Sequence, residues 1–152
     1  MKILIATDGS KYSEKATKKS CELIKIRQDI EVKIISAVES IRPMATEPFG
    51  VSAEFYIKVD KEATKNAEGF VEDAKKIIEE KLGDATPKIE TAVIMTTPKT
   101  AIVEEAKEWG ADLIVVGSHG YGFWDRMLIG SVSDAVIHHA PCSVLVVRDV
   151  EK

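Results

Sequence analysis

Apolar residues recur along the chain in two rhythms. Short unbroken runs, "KILIAT" (Lys2–Thr7), "DLIVVG" (Asp112–Gly117) and "SVLVV" (Ser143–Val147), read as strands covered on both faces. "EVKIISAVE" (Glu31–Glu39) and "KIETAVIM" (Lys88–Met95) are further strands, the latter with Ile89, Thr91, Val93 and Met95 on one side. Between them the spacing lengthens. Ser10 is placed to cap a helix reaching about Arg27, with Ala16, Ser20, Leu23 and Ile24 turned inward. From Lys58 to Leu82 the apolar positions Val59, Ala63, Ala67, Phe70, Val71, Ala74, Ile77, Ile78 and Leu82 step by three, four and one, the stripe of a helix that Gly83 ends. Thr97 caps a helix that opens on Pro98 and ends at Gly110, and Ser131 to about His139 is a last short helix.

Only the stretch from Ser40 to Ile57 lacks a rhythm. It holds Pro43, Pro48 and Gly50, and reads as a long surface loop, either a functional lid or a disordered insertion. No internal repeat or low-complexity segment interrupts the alternation of strand and helix. That alternation predicts an α/β fold, an open five-stranded parallel sheet in the order 3-2-1-4-5 with helices on both faces, as one domain over residues 1–152. In that order the sheet reverses direction between its first and fourth strands, which opens a crevice at their carboxyl ends.

Composition narrows the function. A net charge of −4 argues against non-specific nucleic-acid binding and against an anionic membrane surface. No apolar run reaches the length of a membrane span, and "KILIA" is too short for a secretory leader. The two cysteines, Cys21 and Cys142, form no disulfide framework, so the expectation is a reduced, cytoplasmic protein.

Two polar, glycine-rich junctions meet at the expected crevice: Thr7-Asp8-Gly9-Ser10 and Gly117-Ser118-His119-Gly120. Gly130-Ser131 then opens a helix whose first N–H groups and positive dipole end suit a phosphate. Ser131 and Ser133 offer hydroxyl donors, and Asp8 suits ribose hydroxyls or a metal. The spacing fits a nucleotide, with phosphates on Gly130-Ser131 and the sugar near Asp8 and Gly117. Neither G-x-x-x-x-G-K-[ST] nor a G-x-G-x-x-G after the first strand is present, so this is no P-loop and no dinucleotide fingerprint. The competing reading is that Gly117 and Gly120 shape a tight turn and Gly130 ends a loop.

Other polar groups have plainer readings. His138, His139 and Cys142 lack a fourth ligand for a metal and sit where histidine favours a helix C-terminus. His119 is better placed as a ligand contact than as a general base. Ser10 lacks the G-x-S-x-G setting of a nucleophile. Cys21 lies on a helix face as a structural residue, and "EDAKKIIEEK" is a solvated helix face.

Gly117-x-x-Gly120, nine residues, then Gly130-Ser131 resembles the ATP-binding signature of the universal stress protein family. "ILIATDGS", "ADLIVVGSHG" and "GSVSDAVIHHAPCSVLVV" extend the resemblance over essentially the whole chain. It implies Asp8 near the ribose with Thr7 beside it, and Val38 lining the adenine pocket. Gly117, His119, Gly120, Gly130, Ser131, Val132 and Ser133 would then surround the ribose and phosphates. It further implies ATP with Mg or Mn, the nucleotide-binding branch, and a homodimer paired through the last strand. The chain departs from many relatives at Ser143, where they carry a second proline, and in the bulky "YGFWDRML". There Trp124 either covers the nucleotide or faces a partner.

The expected function is an ATP-dependent switch of a stress response acting on a protein partner. Binding would order the Gly117–Gly130 and Ser40–Ile57 loops. ATP, AMP and cyclic AMP share the adenosine half of such a site. The alternatives are slow ATP hydrolysis, with Asp8 or His119 helping a metal-bound water, and a nucleotide-free dimeric scaffold. No arginine finger or positioned base marks a strong ATPase.

Overall fold

The computed structural model describes residues 1–27, 29–41, 52–119 and 129–148. The strands are β1 (Lys2–Ala6), β2 (Glu31–Ala37), β3 (Lys88–Ile94), β4 (Leu113–Gly117) and β5 (Ser143–Val147). The helices are α1 (Lys11–Lys25), α2 (Ala53–Leu82), α3 (Pro98–Trp109) and α4 (Ser131–His139), with a 3-10 turn at Gly83–Ala85. All strands are parallel and lie in the order β3-β2-β1-β4-β5, as the alternation predicts. Ile3 of β1 pairs with Val32 of β2 on one side and with Leu113 of β4 on the other.

The sheet divides the core in two. Ile3, Ile5, Val32, Ile34 and Val115 pack against Ala16, Cys21 and Ile24 of α1 and Val71, Ala74 and Ile78 of α2. On the other face Leu4, Ile35, Ile114 and Val116 meet Ile102 and Ala106 of α3 and Val136 of α4. Strands buried on both faces can carry no polar alternation, which is why they read as continuous runs.

Helix ends follow their local chemistry with one exception. Ser10 accepts the Ser13 N–H (3.3 Å), and Gly110 ends α3 in the left-handed region at φ +72°. Thr97 sits at the cap position of α3, but its hydroxyl donates to Thr100 Oγ1 (2.8 Å) and caps no amide.

The largest departure from expectation is the start of α2. The helix begins at Ala53, so residues 52–57 are not loop: Ser52 caps it by accepting the Phe55 N–H (3.3 Å). Its first turns lie outside the core, with Phe55 and Ile57 exposed, so no inward stripe marks them. Ser40 and Ile41 bond the Asp60 carboxylate of the same helix. The rest of the expected loop, residues 42–51, lies outside the described residues. On the outer face of α2, Lys75–Glu79 (4.0 Å) and Lys76–Asp73 (3.6 Å) pair as the charge pattern predicts.

Candidate functional site

β1 leads away toward β2 and β3, while β4 leads the other way to β5, so the chain diverges at their carboxyl ends. A cavity of about 120 Å³ opens there. Thr7, Asp8, Gly117, His119, Val132 and Ser133 line it, with Ala6, Ile35 and Val116 of the sheet and Pro98 and Ile102 of α3 forming its apolar part.

The β1–α1 turn is organised by Ser13, a residue that sequence reasoning passed over. Its buried hydroxyl donates to the Ser10 carbonyl (3.0 Å) and accepts from Thr7 Oγ1 (3.2 Å) and the Asp8 N–H (3.4 Å). Asp8 Oδ1 accepts the Ser10 N–H (3.0 Å), which fixes the carboxylate at the cavity's edge. Gly9 completes the turn at φ +73°.

Gly117 serves packing first. A Cβ there would stand 2.7 Å from the Tyr12 carbonyl carbon and 2.9 Å from Ser13 N, so its bareness lets β4 end against the backbone of α1. Tyr12 in turn packs on His119, ring centroids 5.2 Å apart, and Ser118 Oγ and His119 Nδ1 are hydrogen-bonded at 3.0 Å. Lys11 Nζ lies over the Tyr12 ring at 5.0 Å.

At the start of α4 two expected donors are already engaged. The Gly130 N–H donates to the Ser118 carbonyl (2.7 Å), and the buried Ser133 hydroxyl donates to the Gly117 carbonyl (2.7 Å). These bonds pin the helix start to the end of β4. The amides of Ser131, Val132 and Ser133 remain as first-turn donors, and Ser131 itself is exposed.

The structure thus brings Thr7, Asp8, Gly117, His119, Val132 and Ser133 to one cavity. Gly130 and Ser131 lie beside it, at the helix start. Val38 does not line it: strand alternation turns that side chain to the α2 face, into a neighbouring hollow. Gly120 and Trp124 lie outside the described residues. Pro98 and Ile102 enter from α3, which no local motif announces; Ser13 could have been found from the hydroxyl spacing of "TDGSKYS". Burial pushes the thiols of Cys21 and Cys142 up, the latter aided by the Asp112 charge, so neither is a ready thiolate. His138 Nδ1 donates to the Asp134 carbonyl (2.8 Å), and among the described residues no three His, Cys, Asp or Glu side chains form a metal cluster.

The profile described as "Universal stress protein family" matches residues 1–148. A protein of Staphylococcus haemolyticus named as a universal stress protein is 34% identical over 151 residues, which cover 98% of this chain and 85% of the relative. The solved structure of hypothetical protein MJ0577 is similar at 26% identity and TM-score 0.77, covering 99% of this chain and 97% of that one. A universal stress protein solved in complex with cAMP is 26% identical at TM-score 0.69, covering 97% of this chain and 96% of that one.

Proposed function

The chain belongs to the universal stress protein family, and we propose that it is an ATP-binding member that works as a nucleotide-dependent switch. The observation that carries this reading is the cavity at the β1–β4 divergence. It joins an apolar interior to a fixed carboxylate and an amide-bearing helix start. The structure of a relative with cAMP supports an adenine ligand.

Each part suits one part of a nucleotide. Ile35, Ile102 and Val116 offer a flat base apolar contact. Asp8 accepts hydrogen bonds from ribose hydroxyls. The amides of Ser131, Val132 and Ser133 face phosphate oxygens with the positive end of the α4 dipole. A cavity of about 120 Å³ takes the base and leaves the phosphates over its rim. Mg or Mn would ride chiefly on phosphate and water oxygens, because the described residues supply no cluster of acidic ligands.

The same reading gives β5 a role. It has one strand neighbour among the described residues, and its outer edge offers unpaired backbone groups for a second copy. A single-chain mass at micromolar concentration would remove the dimer.

The deciding experiment is to denature purified protein and identify the released small molecules by chromatography and mass spectrometry. ATP near one per chain is expected. A protein that emerges empty and shows no thermal shift with ATP and magnesium would leave the nucleotide-free scaffold as the better account.

A further inference from the structure

β3 ends the sheet on the side away from β5, with β2 as its one strand neighbour among the described residues. Its backbone groups alternate between the two sides. The Val38 N–H donates to the Ile94 carbonyl (2.9 Å), so Ile94, and in step with it Ala92, Glu90 and Lys88, turn their backbone groups to β2. Ile89, Thr91 and Val93 therefore present their N–H and C=O groups outward. Such edges are commonly blunted by proline, by a bulge or by unpaired charge. β3 has no proline, and its register with β2 runs unbroken from Lys88 to Ile94. Its two charges, Lys88 and Glu90, pair with each other at 2.8 Å.

This edge is complementary to itself. Thr91 is the middle residue of the seven. Two copies laid antiparallel about a two-fold axis at Thr91 set Thr91 opposite Thr91 and Ile89 opposite Val93. Every outward N–H and C=O of these three residues then meets a partner. The side chains agree with that register. On the α2 side the opposed residues are all β-branched, which suits cross-strand pairing. On the α3 side Glu90 falls opposite Ala92 and Lys88 opposite Ile94, so no charge directly faces a like charge. Thr91 itself is exposed, so α2 leaves the axis position open.

We propose that β3 pairs with the β3 of a second copy, antiparallel about a two-fold axis at Thr91, and continues the sheet across the pair. The contact is isologous and needs no nucleotide. It uses the edge opposite β5, so where β5 also pairs, assembly runs on beyond a dimer. A seven-residue edge is smaller than a standard interface, and a dissociation constant on the order of 100 µM is expected.

The test is sedimentation velocity of the full chain from about 10 µM to about 1 mM, a range that brackets this constant. Thr91→Lys sets two like charges face to face on the axis, and Thr91→Glu does the same with the opposite sign. Both changes are at an exposed position and should leave the urea midpoint nearly unchanged. At the top of the range the parent should have about twice the mean mass of either variant, or more. An equimolar mixture of the two variants should regain the parent's mass, because Lys then faces Glu. Thr91→Pro removes only an outward N–H, leaves the bonds to β2 intact, and should lose the association as well. A parent no heavier than Thr91→Lys would overturn the assignment and leave this edge to a strand of another protein or to solvent. A mixture that stays as small as its components, or a Thr91→Pro chain that associates like the parent, would overturn it equally.

Discussion

The two ends of the sheet are built on opposite principles. At the amino end, long side chains close the surface and satisfy one another. Lys33 pairs with Glu105 of α3 at 2.6 Å, both less than a fifth exposed, and lies over the Trp109 ring at 5.8 Å. Lys2 Nζ donates to the Trp109 carbonyl (3.0 Å) and stands over the same ring, while the Lys2 N–H donates to the Asp112 carboxylate (2.7 Å). At the carboxyl end the residues are short: Thr7, Gly9, Ser10, Ser13, Gly117, Ser118, Gly130 and Ser133. Backbone segments touch there, and two hollows open. Helices α1 and α4 also begin there, so unpaired amides gather at that end. One end is finished as a surface. The other is held rigid by contacts among small groups and left open.

The sharpest way to break this contrast is Gly117→Ala. The added methyl would meet the backbone of Tyr12 and Ser13 below 3 Å, and backbone cannot yield as a side chain can. A loss of about 3 kcal/mol in unfolding free energy is expected from urea denaturation. Gly69→Ala on α2, with nothing within 4 Å, should instead stabilise by about 0.5–1 kcal/mol. If Gly117→Ala proved as harmless as Gly69→Ala, the glycine would have to be explained by a ligand alone.

That glycine shows where the sequence was legible and where it was not. β1 and β4 followed from apolar runs, because burial on both faces writes itself into composition, and the strand order followed from the alternation of strand and helix. The meeting of Thr7-Asp8 with Gly117 and His119 followed from that order. What could not be read was which neighbour uses the space a glycine leaves. The sequence leaves Gly117 open between a ligand contact and a tight turn; the structure sets α1 backbone against it while it also lines the cavity. Ser133 and Gly130 read as free donors, yet each spends its hydrogen on a β4-end carbonyl, a contact set by the docking of α4 rather than by local spacing. Val38 followed from its place at the end of β2, but strand alternation, one residue from Ala37, sends it to the other hollow. The first turns of α2 left no inward stripe to find, since Phe55 and Ile57 face out.

An amino-end variant of middling effect sharpens the comparison. Lys33→Met leaves Glu105 without its cation in a setting only 16% exposed, which should cost about 2 kcal/mol. The double variant Lys33→Met/Glu105→Leu should recover to within about 1 kcal/mol of the parent, because an apolar pair avoids the desolvation of both charges. Urea midpoints measure both. Nucleotide affinity, by calorimetry, should be unchanged in either, since neither Lys33 nor Glu105 lines the cavity. An affinity loss in the stable double variant would mean that the ends are coupled through β2.

Ser133→Ala should be the smallest loss of stability among the destabilising single variants and is the most selective. It deletes the 2.7 Å bond to the Gly117 carbonyl and leaves that acceptor buried, for a cost of about 1 kcal/mol. Among the described residues, the Gly130 amide on the Ser118 carbonyl is the other direct hydrogen bond from the start of α4 to the end of β4. With one of two pins gone, the amides of Ser131 and Val132 lose their fixed aim at the phosphate position. Affinity for ATP should fall about fivefold, more than the stability loss alone would bring, because a folded chain at 25 °C stays almost wholly native. Affinity for adenosine, which has no phosphate, should hold. If ATP and adenosine weakened together, Ser133 would act on the cavity wall it lines rather than through the helix start. If neither weakened, the amides of α4 would not be where the phosphate sits.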